Sequence, residues 1–165
     1  MRFFILLLLI SLISCSQKII TQIDKSKNEK IIKANSAIRP TIIAPLSIQI
    51  KSVGKEIIFI KLYGEDVGAN AIGADATATF LLDDKTTITI YSIGVQGYDR
   101  SIKDGKYYSH HYRIAVSDFT LLSKHLIIRI RKSDSTTYYD FDIKNKDAEK
   151  FKKLQLKFLE EFNNQ

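Results

Sequence analysis

The chain of 165 residues holds one cysteine, one methionine, two prolines and no tryptophan. A single cysteine excludes a disulfide framework and any zinc site built on several thiolates. No apolar run approaches the ~20 residues that a membrane-spanning helix needs. No Gly-rich phosphate loop or Walker pattern is present, and the stretch from Gly64 to Gly73 lacks the Lys-Ser/Thr ending of one. No serine sits in a Gly-x-Ser-x-Gly elbow. What is there is ordinary for a folded domain: 45% hydrophobic and 26% charged residues, in a length that suits one domain.

The first residues carry an address. Arg2 precedes a short apolar stretch, Phe3 to Ile13, which has the shape of a secretory signal. Leu12-Ile13-Ser14-Cys15 resembles the lipobox of bacterial lipoproteins, with Leu three before the cysteine and a small residue directly before it. The resemblance implies that the Cys15 thiol receives a diacylglyceryl group, that cleavage follows Ser14, and that Cys15 becomes an acylated N-terminus. Each buried CH₂ contributes about 0.8 kcal/mol, so two or three acyl chains anchor a protein nearly permanently. In lipoproteins of enteric type an Asp directly after the cysteine retains the protein at the inner membrane. Ser16 stands there instead. The resemblance therefore implies the outer membrane, facing the periplasm, in a host that has one.

Formal net charge is +7, and it is unevenly placed. Between Ser16 and Pro45, Lys18, Lys25, Lys27, Lys30, Lys33 and Arg39 face only Asp24 and Glu29. This stretch reads as a basic tether, attracted to anionic headgroups by about 1 kcal/mol per charge near the surface. Export argues against nucleic acid as the partner of this charge. The expected organisation is a signal peptide over 1–14, an acylated cysteine and tether over 15–45, and one folded domain over 46–165.

Strand patterns dominate after Pro45. Leu46, Ile48 and Ile50 alternate with Ser47, Gln49 and Lys51. Further strands are expected over 56–63, 75–82, 86–93, 106–116, 125–132 and 136–143, with turns at Val53-Gly54-Lys55 and Asp83-Asp84-Lys85. Ser117 and Asp118 are candidate caps of a short helical turn, and Asn145 of a longer helix. In that last helix Ala148, Phe151, Leu154, Phe158, Leu159 and Phe162 recur at helical spacing. The fold class is α+β: a curved antiparallel sheet or half-barrel of about seven strands with a C-terminal amphipathic helix. The order of elements is similar to that of the pleckstrin-homology-like superfold, in which a C-terminal helix closes a bent seven-stranded sheet. That likeness carries no function.

Chemistry is sparse. His110 and His111 are strand neighbours, so their side chains point to opposite faces and do not ligate one ion together. His125 begins a later strand, and no spacing motif supplies the remaining metal ligands. Asp140 and Asp142 share one strand face opposite Phe141 and Ile143. No catalytic residue, metal or cofactor is assigned. Tyr107, Tyr112, Arg113, Arg129, Arg131, Tyr138 and Tyr139 form the candidate interaction surface, because Tyr and Arg are enriched at binding hot spots. Arg129 and Arg131 share a face and suit an acidic partner. The sequence therefore points to a lipid-anchored envelope protein that binds a partner and catalyses nothing. An inhibitor or immunity protein that neutralises a foreign toxin or lytic enzyme is one form of such a module. The alternatives are a carrier of a small ligand or lipid, and a hydrolase using His110, His111 or His125.

Overall fold

A computed structural model describes residues 19–24, 29–38, 46–65, 72–96, 98–100, 106–134 and 136–165. Cys15 and its lipobox lie outside them. The elements run β1 (Ile19–Asp24), β2 (Glu29–Ile38), β3 (Leu46–Val53), β4 (Ile57–Glu65), β5 (Thr77–Leu82) and β6 (Thr87–Ser92). Then come β7 (Tyr98–Arg100), β8 (Lys106–Ile114), α1 (Val116–Lys124), β9 (Ile127–Ser133), β10 (Tyr138–Asp142) and α2 (Asn145–Asn163). The strands form one antiparallel sheet in the order β1-β2-β3-β4-β8-β6-β5-β9-β10, with β7 beside β8. The α+β class holds, and the sheet is open, with β1 and β10 at its edges. The count of seven strands does not hold, because β1, β2 and β7 add to the seven expected ones.

Two of those additions correct the tether assigned to 15–45. Residues 19–24 and 29–38 are strands, and β2 pairs along β3 from Ile31↔Val53 to Ile38↔Leu46. In β2 the inward residues are Ile32, Ala34 and Ser36. Two of these three are small, so the inner face is only weakly apolar by composition and the segment reads as polar. Pairing changes that: Ile32 and Ala34 are fully buried once β3 lies beside them and a helix covers them.

One sheet face forms the core. The inner register row Ala34↔Ile50↔Ile60↔Tyr112 crosses four strands, and all four side chains are buried. Helix α2 covers this face. Its Lys, Glu, Leu and Gln content favours helix, and it buries Ala148, Phe151, Leu154, Gln155, Phe158 and Phe162. It packs on β2, β9 and α1, and the Phe119 ring meets Phe158 edge-on at 5.4 Å. Nineteen helical residues span about 28 Å, which matches the ~29 Å width of six strand steps. The helix leaves β10 at one edge and ends where Gln165 Nε2 donates to Ser52 Oγ on β3 at 3.3 Å. No described helix is long and apolar enough to cross a membrane.

The expected caps are displaced by one to three residues. Lys144 and Ala115 occupy the cap positions, without side-chain cap bonds. Asn145 instead donates from Nδ2 to Glu149 Oε1 at 3.2 Å. Asp118 and Asp147 stand in the first turns, where negative charge complements the helix dipole.

Candidate functional site

The face turned away from the helices is built by the alternate residues of the same strands. Register aligns Ile20↔Lys33↔Lys51↔Phe59↔Arg113↔Tyr91 in one row across β1, β2, β3, β4, β8 and β6. The neighbouring row is Asn35↔Gln49↔Lys61↔His111. Residues directly opposite one another share a face and lie about 5 Å apart. Three lysines from three consecutive strands are therefore gathered within two rows. Like charges directly opposite, as Lys33 and Lys51 are, oppose folding.

The lysines line a shallow groove of about 300 Å³ with Gln49, Phe59, Ile93 and His111. Among the described residues, no carboxylate lines it. Among the described residues, none of Lys33, Lys51 and Lys61 forms an ion pair. The nearest acids on the first two strands, Asp24 and Glu29, pair at the far end of the β1–β2 hairpin. Glu29 is four residues from Lys33, about 13 Å along the strand. Lys61 Nζ lies 5.4 Å from the Tyr63 ring centre. Gln96 fixes the groove's far wall: its Oε1 accepts from the His111 amide at 2.6 Å, and its Nε2 donates to the His111 carbonyl at 2.8 Å. Chemically this is a wet, cationic face with an aromatic floor, suited to anionic groups.

The candidate residues taken from the sequence are scattered around this face. Arg113 lies on it, at the border of a larger groove of about 690 Å³ that also contains Glu56 and Asp118. Tyr107 belongs to β8 opposite Glu65, and its side chain is outside the described set. Tyr112 is not a surface residue. It points into the core and is fully buried, because it sits on the inner parity of β8 with Ile114. Tyr139 is half-buried on the inner side.

Arg129 and Arg131 do lie on the outer face, but they are not free for an acidic partner. Arg129 Nε donates to Asp142 Oδ1 at 2.6 Å, and Arg131 donates twice to Asp140 at 2.7 Å. The β9–β10 register places each Arg directly opposite its Asp. The Asp140 side chain raises the Arg131 pKa, and Arg131 in turn holds the Asp140 carboxyl below its ordinary value. Tyr138, 60% exposed, stacks on the Arg131 guanidinium at 4.4 Å.

The histidines split three ways. His111 faces the lysine groove. His110 is fully buried, and its Nδ1 lies 3.4 Å from Lys132 Nζ, itself buried on β9. Burial pushes the Lys132 ammonium down from 10.5 to about 8. His125 stands at the β5–β6 turn, where its Nδ1 donates to Asp83 Oδ1 at 3.1 Å. Asp83, Asp84 and His125 bring three ligand-capable atoms within 4.8 Å of one another. Their contacts are accounted for locally, since Asp84 accepts from the Thr86 amide and hydroxyl, both at 2.9 Å. The amide bond lowers the Asp84 pKa.

Sequence reasoning missed Lys33, Lys51, Lys61, Phe59 and Gln49 as one site. Alternation over residues 31–36 was the available signal, and the apparent tether hid it. No protein-family model, curated protein or solved structure matches the chain.

Proposed function

We propose that the chain is a lipid-anchored protein of the bacterial envelope that acts as a binding module for an anionic partner. The module is non-catalytic, and its contact surface is the outer face of β2, β3, β4 and β8. The observation that carries this reading is the groove of Lys33, Lys51 and Lys61, lined by no carboxylate among the described residues. Uncompensated like charge costs stability. A partner of opposite charge recovers that cost, and such a groove retains its lysines for binding rather than folding. The anchor rests on the lipobox-like Leu12-Ile13-Ser14-Cys15. A carrier that holds ligand within its sheet is less well supported, because α2 already fills the inner face with Phe151, Phe158 and Phe162.

The test is salt-dependent retention of the detergent-extracted protein on phosphocellulose. Lys33→Gln/Lys51→Gln/Lys61→Gln is expected to elute at clearly lower salt than wild type. Lys146→Gln/Lys153→Gln/Lys157→Gln removes the same charge from exposed positions of α2 and is expected to elute close to wild type. Equal elution of the two triple variants would refute the assigned face. Palmitate labelling reads the anchor separately: Cys15→Ala is expected to lose the label, and a variant that keeps it would refute lipidation.

A further inference from the structure

We infer that the partner of the lysine face is the anionic phospholipid headgroup layer of the leaflet that holds the Cys15 acyl chains, so that the sheet lies against the membrane. The inference rests on the anchoring proposed above and adds the partner and the orientation.

Chain length comes first. Only four residue steps separate Cys15 from Ile19, the first residue of β1, and four steps reach at most about 14 Å. Ile19 is already in the sheet opposite Ala34, and Ile20 stands opposite Lys33. An anchor at Cys15 therefore tethers the edge of this face, not the end of a thirty-residue leash. Phosphates of the headgroup layer are within reach of Lys33 whenever the anchor is inserted.

Composition of the face comes second. Tyr91 is 64%, Ile93 50% and Ile20 39% exposed. Ile20 and Tyr91 belong to the Lys33 row, and Ile93 lines the groove. Exposed apolar side chains among unpaired lysines are what an interfacial surface needs. The cations meet phosphates while the apolar groups enter the boundary between headgroups and acyl chains. A soluble polyanion uses only the first of these. The opposite side of the molecule differs in its acids: α2 exposes Leu156 and Lys146, Lys150, Lys153 and Lys157, but Glu149 and Glu160 are interleaved with these lysines.

The experiment uses the acylated protein extracted from membranes and reconstituted into vesicles of phosphatidylcholine, with or without phosphatidylglycerol. Lysine acetylation rates are read by peptide mass spectrometry. With phosphatidylglycerol, Lys33, Lys51 and Lys61 are expected to react about fivefold slower, the attraction of one charge to the surface. Lys146, Lys153 and Lys157 are expected to keep their rates, and high salt to remove the protection. Equal rates in both vesicles would overturn the inference. Protection by inorganic phosphate in phosphatidylcholine vesicles, with none from phosphatidylglycerol, would also overturn it and assign a soluble anion. Protection confined to the α2 lysines would reverse the orientation and overturn it as well. The intact mass of the extracted chain reads the anchor independently. A chain without acyl mass would remove the anchoring, while its labelling pattern with added vesicles still decides the face.

Discussion

Lys132 shows how one side chain sets a pH dependence. It follows Ile130 on the inner parity of β9, so the strand drives its ammonium into the core beside His110 and the Tyr139 ring. Burial lowers its pKa to about 8, with Asp134 opposing the shift. The unfolded chain keeps the ordinary value of 10.5, so between about 8 and 10.5 the unfolded state binds more protons. Below that window the burial penalty is fully present, and it is relieved as pH rises through it. Lys132→Met carries no such term. Its stability relative to wild type is expected to fall by about 3 kcal/mol between pH 7 and pH 10.5, at about 1.4 kcal/mol per pK unit. Urea unfolding at the two pH values measures this, and a gap that stays constant would contradict the assignment. The inward position of Lys132 was legible in the alternation that pairs Ile128 with Ile130. Ending the expected strand at Lys132 concealed it. The Arg–Asp pairs were equally within reach, because a hairpin joining the two strands sets Arg129 against Asp142 and Arg131 against Asp140.

Elements differ in how plainly they can be read. The seven strands after Pro45 and the helix α2 are marked by strong apolar periodicity, and all of them are present within about two residues of expectation. β2 is not so marked. Its buried positions are Ile, Ala and Ser, and only pairing with β3 defines its faces. β7 is three residues long and carries no periodicity at all. A substitution separates the strand from the tether. Ala34→Asp buries a charge without a partner at a fully buried position. Its expected cost is about 3–5 kcal/mol. Ala37→Asp, at an exposed position of the same strand, is expected to stay within about 0.5 kcal/mol of wild type. Thermal unfolding of the two variants is the check. Equal midpoints would return residues 29–38 to a tether.

At the scale of the whole molecule, charge and topology were legible separately but not together. The excess of lysine before Pro45 was plain in the sequence, as was the polar side of β3. That they form one face depends on β2 joining the sheet and on a register that sets Lys33 against Lys51 and Gln49 against Lys61. The basic strip expected at Arg129 and Arg131 is neutralised internally, so the free positive field moves to the other half of the sheet. The most direct measurement is amide NMR of the detergent-solubilised protein, titrated with inorganic tripolyphosphate. The largest shifts are expected at Lys33, Gln49, Lys51, Phe59, Lys61 and His111. Largest shifts at Arg129 and Arg131, or along α2 from Lys146 to Lys157, would contradict the assigned face.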